Sequence, residues 1–292
     1  MFPADVRTKE ANQLATRIKN SVKAKVTEDS MSSQHAHLQT LIKQGKSLKF
    51  LHQQQEDPTW KGYLYNLKKG TMKFILNSSI HTLPTMNNLK QWKKASSDRC
   101  HLCKNKDSTF HCLSGCKVAL DQQRYTWRHD NIVRYIVDCV DTDKYTVYSD
   151  LPGFRTANGG SIPATMCVTL QKPDVVIVDE TKKEVHMFEL TVNWESLCDK
   201  NNRYKNDKYA HFLTDITTHK PSRTAFEVGV RGHISKENML RLQQIHKFTK
   251  KSLKFKTFTN NLSALAVNSS FFIFTCRKQP VWSQIDFLGP PY

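Results

Sequence analysis

The sequence predicts an α/β protein in which a sheet is flanked by helices. Three observations carry that prediction. Two apolar runs, 175–178 and 185–192, stand on either side of a charged stretch, 179–184, and read as an antiparallel hairpin. Segments with apolar residues at helical spacing lie before and after it, at 124–140 and 236–251. The chain has 292 residues, 38% of them apolar, which is enough to bury a sizeable core.

Charge narrows the class of partner. Lys and Arg total 44 against 26 Asp and Glu, for a net charge of +18. Such an excess favours polyanions, of which nucleic acid is the commonest. The first twenty residues carry no apolar core of a secretory signal. No run reaches the roughly 18 apolar residues of a membrane span, so no membrane partner is expected. Four of the eight cysteines fall between Cys100 and Cys116. That clustering points to a metal in a reducing compartment rather than a disulfide framework.

Residues 1–70 are basic and rich in Gln, Ser and Lys. Positions 11–26 predict a helix, with Leu14, Ile18 and Val22 four apart. Positions 30–34 read as a linker, and 37–55 as a second helix using Leu38, Leu41, Ile42 and Leu48. This region is either helical scaffold or a nucleic-acid-binding arm. Asp57-Pro58 marks a break. The apolar run 74–76 leads to a turn at Pro84 and a helix start, and His81 reads as a surface histidine.

Residues 100–116 read CHLCKNKDSTFHCLSGC. Cys100 and Cys103 form a Cys-x-x-Cys turn, and His111 and Cys116 follow at knuckle spacing. Three thiolates and one imidazole make a closed tetrahedral zinc site. Cys112 is the alternative to His111, but the spacing favours His111 with Cys116. Four protein ligands leave no open position for chemistry, so the expected role is structural and nucleic-acid-contacting.

Ile132, Val133, Ile136, Val137 and Val140 then repeat at helical spacing. Trp127 and His129, at this helix's entrance, are expected to pack against the knuckle, and a catalytic His129 is the competing reading. Residues 141–148 are a linker or a strand. The loop 151–162 holds Gly159-Gly160 but no phosphate-loop lysine pattern, which argues against a nucleotide site. The run from Val175 to Val178 suits a strand buried on both faces. Pro173 can start that strand but not sit inside it. From Glu195 to about residue 217 the pattern reads as a helix. Residues 225–230 give a short strand, and 236–251 a helix with Leu240, Ile245 and Phe248 as core. An apolar stretch follows at 262–274.

The chemistry concentrates in residues 172–209. Asp174 at the start of one strand and Glu189 in its hairpin partner could converge on one Mg2+ or Mn2+ ion. Glu189 sits inside an apolar strand, where a lone charge is costly. Glu195 adds a third carboxylate, as ligand or orienter. At helical geometry Glu195, Lys205 and Tyr209 fall within a sector of about 80°, flanked by Lys208. Lys205 or Lys208 would contact the phosphate or polarise the attacking water, and Tyr209 would bond or stack near the backbone.

These motifs occur in a particular order. An LPT-x-x-NL-x-x-W lead-in (Leu83 to Trp92) precedes the knuckle, and RYTWRHD (Arg124 to Asp130) and DLPG (Asp150 to Gly153) follow it. Then come KPD, ELTV-x-x-E, K-x-x-KY and EVG-x-RG (Glu227 to Gly232). The string resembles the PD-(D/E)XK superfamily, specifically the restriction-enzyme-like endonuclease at the C-terminus of site-specific non-LTR retrotransposon proteins. The resemblance covers about residues 83–235.

The resemblance implies a restriction-endonuclease-like mixed sheet flanked by helices, preceded by a small zinc knuckle and a helical basic N-terminal region. Its domains would be 1–95 (basic helical), 96–140 (knuckle and following helix) and 141–292 (endonuclease). It implies a Mg2+-dependent DNA endonuclease that nicks target DNA for a reverse transcriptase to prime on. Asp174 and Glu189 would be the metal ligands, Lys205 the catalytic lysine, and Lys208 with Tyr209 the rest of the helix motif. Arg124, Arg128, Lys172 and Arg203 would contact nucleic acid. Thr191 stands where the superfamily's short motif has lysine, so the catalytic lysine would come from the following helix, as Lys205 or Lys208. No Tyr/Phe-x-Asp-Asp polymerase signature occurs. The chain is then a truncated element, a separately encoded piece whose reverse transcriptase is supplied in trans, or a domesticated descendant. RNA is a second expected partner, and the expected compartment is the nucleus. The alternative is a catalytically inactive domesticated zinc-knuckle protein that only binds nucleic acid.

Overall fold

The computed structural model describes residues 4–41, 66–152, 162–163, 172–195, 216 and 218–283. The chain divides into two compact units, 1–53 and 54–292.

In the first unit a single helix, α1 (Ala4–Thr40), runs for 37 residues. The linker expected at 30–34 is helical. No Gly or Pro occurs between 4 and 40, and serines cost a helix only tenths of a kcal/mol each, roughly. Leu14, Ile18, Val22 and Val26 lie exposed on α1. The second helix expected at 37–55 is not begun separately, since α1 carries on to Thr40, and 42–65 lie outside the described residues.

Among the described residues the second unit is built on a four-stranded mixed sheet of order β1-β2-β3-β4. Its strands are β1 (Thr146–Tyr148), β2 (Val175–Asp179), β3 (Glu184–Asn193) and β4 (Lys220–Gly229). The first three pair antiparallel, and β4 runs parallel to β3 from Glu184↔Lys220 to Asn193↔Gly229. The β2–β3 turn closes because the Asp179 carboxylate accepts hydrogen bonds from the main-chain N–H groups of Thr181 and Lys182, at 3.1 and 3.0 Å. The strand expected at 225–230 is therefore longer and starts at Lys220. A parallel partner requires a long crossover. The helix expected there spans residues outside the described ones.

Side chains alternate across the sheet with period two. Val175 and Ile177 join Phe188, Leu190, Phe226 and Val228 in the main core. Val176 and Val178 join Tyr148, Val185 and Met187 on the opposite face. β2 is thus buried on both faces, as its unbroken apolar run predicts.

Helices cover the main-core face. α5 (Arg124–Cys139) contributes Ile132, Val133, Ile136 and Val137. α6 (Lys236–His246) contributes Leu242 and Ile245, and α7 (Phe255–Thr275) contributes Phe258, Leu262 and Ala266. Leu240, expected in the core, is 57% exposed, because Leu242 and Ile245 set the buried stripe of α6. A second core joins α2 (Lys69–Ser79) to α7 through Phe74, Ile75, Val267 and Phe274. α3 (Met86–Gln91) and α4 (Lys117–Asp121) are short helices around the cysteine loop. No helix of the described residues is long and apolar enough to cross a membrane. Two serines of α7 tie it to the chain after β4: Ser270 Oγ donates to Val230 O at 2.6 Å, and Ser263 Oγ donates to Gly232 O. Gly232 has φ 78, and a Cβ there would come within 2.7 Å of Ser263 Oγ, so this contact with α7 needs glycine.

Candidate functional site

Two constellations carry chemistry. The first is the cysteine loop. Its N-terminal half is a tight turn in which Cys100 N–H donates to Asn105 O (2.7 Å) and Lys104 N–H to Cys100 O (3.1 Å). Lys104 sits in the left-handed region at φ 62. Leu102 N–H points at Cys100 Sγ, 3.4 Å away. The C-terminal half is a single π-helical turn, His111–Gly115. Ser108 Oγ accepts from the His111 N–H at its start (3.1 Å). Tyr125 of α5 braces the turn: its hydroxyl accepts from Cys116 N–H (3.1 Å) and donates to the carbonyls of His111 and Cys112.

These bonds bring four donor atoms together. One ligand atom each from Cys100, Cys103, His111 and Cys116 lies within 4.8 Å of all the others. Cys103 Sγ and His111 Nε2 are 3.2 Å apart. The titratable groups of the loop shift in different directions. Burial lowers the His111 pKa against an opposing pull from Asp107, so the imidazole stays neutral and able to ligate. Burial, chiefly, pushes the Cys116 thiol up to about 12. For Cys103 burial also acts upward, but hydrogen bonds from the Asn105 main chain and the neighbouring thiols outweigh it and lower its pKa. Cys112 stands apart. It is buried, its pKa is raised well above the usual range by that burial, and its Sγ donates to Asp107 Oδ1 at 2.9 Å. Asp107 Oδ2 in turn accepts from Met86 N–H (2.7 Å), which ties α3 to the loop.

The second constellation lies at the start of the β2–β3 hairpin. Its register sets Val175 opposite Phe188, which brings Asp174 beside Glu189. Asp174 N–H donates to Glu189 Oε1 (3.2 Å), and Leu190 N–H donates to Asp174 Oδ2 (2.7 Å). Glu189 is 1% exposed. His129 of α5 reaches the same carboxylate: its Nε2 lies 3.2 Å from Asp174 Oδ2 and its Nδ1 3.0 Å from Asp130 Oδ1. Asp174, His129, Asp130, Arg134, Asp150 and Lys172 line a cleft of about 430 Å³. Lys172 Nζ is 3.3 Å from Asp150 Oδ1 at its rim.

Several expected roles change. His129 faces Asp174 rather than the knuckle. Trp127 packs its ring on Phe272 and Trp282. Arg124 and Arg128, expected at a nucleic-acid surface, are 0% and 1% exposed. Arg124 donates to the carbonyls of Cys276 (2.8 Å) and Gln279 (2.7 Å), supplying partners at the end of α7 where the helix leaves its own carbonyls open. Arg128 donates to Leu113 O (2.9 Å) and Ser270 Oγ (3.1 Å).

Glu195, expected as a third site carboxylate, is instead the buried partner of Arg231. It accepts from Arg231 N–H (2.9 Å), Nε (3.0 Å) and Nη2 (2.8 Å). Arg231 also lies 4.4 Å from the Trp194 ring centre. Burial raises the Glu195 pKa, but Arg231 outweighs it and the net shift is downward. Lys205, Lys208, Tyr209 and Arg203 lie outside the described residues.

Sequence reasoning missed the Tyr125 brace and the Glu195–Arg231 pair. Their residues stand in motifs, RYTWRHD, ELTV-x-x-E and EVG-x-RG, but nothing in those motifs names a partner. No protein-family model matches the chain, and no curated protein matches it.

Proposed function

We propose that the chain is a metal-dependent DNA endonuclease that nicks its target and carries a structural zinc site. The observation that carries this reading is that Asp174, whose main-chain N–H donates to Glu189 Oε1, lines a cleft together with Lys172 and Arg134. Mg2+ is commonly held by one or two carboxylates together with substrate phosphates, so a two-carboxylate set is a fitting donor group. Asp174 and Glu189 would hold the ion, which would supply an activated water and neutralise charge on the phosphate. The rim cations would attract the phosphodiester. His129 would orient the Asp174 carboxylate. Lys205 or Lys208 would provide the cation at the scissile phosphate. The mixed sheet with flanking helices is compatible with a restriction-endonuclease-like fold, and the resemblance to retrotransposon endonucleases makes the nucleus the expected compartment.

Zinc is our choice for the Cys3His group. Zinc bonds of about 2.3 Å to sulfur and about 2.0 Å to nitrogen need all four donors close together, and thiolate with imidazole selects zinc among the common ions.

A second reading is a silent nucleic-acid-binding descendant. One observation favours it: Asp174 Oδ2 already accepts from Leu190 N–H and meets His129 Nε2. The test is nicking of supercoiled plasmid with Mg2+ or Mn2+ by the wild type and by Asp174→Asn. Metal-dependent nicking abolished in the variant is expected. No nicking by a wild type that still binds DNA would overturn the enzyme reading in favour of the silent one.

A further inference from the structure

We propose that the exposed face running from the end of α3 into the cysteine loop is a docking surface for single-stranded DNA, with Trp92 as the platform for one base. Its choice of DNA over RNA rests on the endonuclease reading above. The surface itself rests on placement and charge.

Trp92 caps α3 and is held there by the main chain. Its N–H donates to Asn88 O (2.9 Å), and the chain reverses at Lys93, in the left-handed region at φ 58. Lys94 N–H then donates to Leu89 O (2.8 Å). Trp127, Trp194 and Trp282 are all held in stacks with rings or guanidinium groups. Trp92 leaves 43% of its surface open. An indole anchored by a helix end and open to solvent gives a base something to stack on at little entropic cost.

Cations flank it along the chain and on the segments bonded to α3. Lys90, Lys93, Lys94, Arg99 and Lys106 are all exposed, as is Lys104 in the Cys-x-x-Cys turn. Main-chain bonds hold these segments side by side. Asn87 N–H donates to Asp107 O (3.1 Å), and Asp107 N–H donates to Asp98 O (2.9 Å). Arg99 and Lys106 face each other across an antiparallel bridge. Lys90 Nζ and Arg99 Nε both reach the same Asp98 oxygen, at 3.7 and 3.9 Å. Asp98 is the one exposed or half-exposed carboxylate between positions 90 and 106, and it cannot neutralise six cations. Repulsion among them is relieved by a polyanion, and counterion release then drives binding.

The indole selects the strandedness. A base inside a duplex keeps both faces against its neighbours, whereas an unpaired base offers a face. This surface also replaces Arg124 and Arg128, whose guanidinium groups are spent on main-chain carbonyls.

The test is fluorescence anisotropy of the full chain with a labelled oligodeoxythymidine of about 16 nucleotides, without added Mg2+. Trp92→Ala should weaken binding about tenfold, and Trp92→Phe should recover part of the loss. The pair Lys93→Glu with Lys94→Glu should weaken binding and flatten its dependence on salt. The same charge change at the β2–β3 turn, Lys182→Glu with Lys183→Glu, should leave binding within about twofold. Equal losses in both charge variants, unchanged binding in Trp92→Ala, or tighter binding to the matching duplex or oligouridine would each overturn the proposal. The assay follows binding alone. A chain that binds through Trp92 yet fails to nick plasmid overturns the endonuclease reading only.

Discussion

His129 Nε2 lies 3.2 Å from Asp174 Oδ2, across the boundary between helix α5 and the β2–β3 hairpin. The other ring nitrogen lies 3.0 Å from Asp130 Oδ1. The histidine therefore links two carboxylates that are far apart in sequence, and it does so on the wall of the cleft. A histidine held at both nitrogens sets the orientation of the carboxylate it meets.

That geometry makes His129 a positioning residue for a metal at Asp174. His129→Ala should raise the Mg2+ concentration for half-maximal nicking by about tenfold or more, the usual cost of removing an outer partner of a metal ligand. A metal titration of plasmid nicking checks this. An unchanged midpoint with a merely lower melting temperature would assign His129 to packing instead.

The cysteine loop predicts a contrast between two neighbouring thiols. Cys103→Ser should lose the zinc, measured as a fall from about one equivalent by metal analysis. Cys112→Ala should keep it, because the Cys112 thiol is engaged with Asp107 and not with the other three sulfurs. It should still cost about 1–3 kcal/mol in urea unfolding, since the variant leaves a buried carboxylate oxygen without its donor.

The Glu195–Arg231 pair should behave as structure, not as chemistry. Both residues are buried, 1% and 4% exposed. Arg231→Met leaves the Glu195 charge uncompensated and should destabilise the unit by about 3–5 kcal/mol. Glu195→Gln should lower stability while leaving the Mg2+ midpoint of nicking in place. A shifted midpoint would return Glu195 to the metal site.

Stability should fall on mild acidification. Burial lowers the pKa of His233 and, against the pull of Glu184, that of His186. Both are depressed below the unfolded value of about 6.5. The unfolded chain then binds protons that the folded chain refuses, so stability is full above about pH 6.5 and declines as pH drops through the folded values. Urea midpoints at about pH 7.5 and 5.5 measure the decline. His233→Gln should flatten it.

Local pattern was enough for much of the architecture. The unbroken run from Val175 to Val178 implies burial on both faces, and β2 has it. The period of Ile132, Val133, Ile136 and Val137 implies a helix with one buried stripe, and α5 has it. The spacing of Cys100, Cys103, His111 and Cys116 groups the four donors, because a tight turn and one helical turn set their reach within a single loop. Pairing of Asp174 with Glu189 also follows locally, since a hairpin closed at Asp179 leaves one register.

Partners that meet across elements were not legible. Charge, hydropathy and spacing describe what a side chain would prefer, and Arg124 and Arg128 prefer an anion or a carbonyl equally well. Only the docking of α5 on the end of α7 and on the π-helical turn decided for the carbonyls of Cys276 and Leu113. Glu195 could complete a carboxylate cluster or an ion pair, and the return of Arg231 after β4 chose the pair. His129 could face the knuckle or the hairpin, and the rotation of α5 about its buried stripe turned it to Asp174. The sequence by itself determined the donor groups held within one loop or one hairpin. The tertiary structure alone decided which distant groups they meet, because those distances are set by core packing and not by chain spacing.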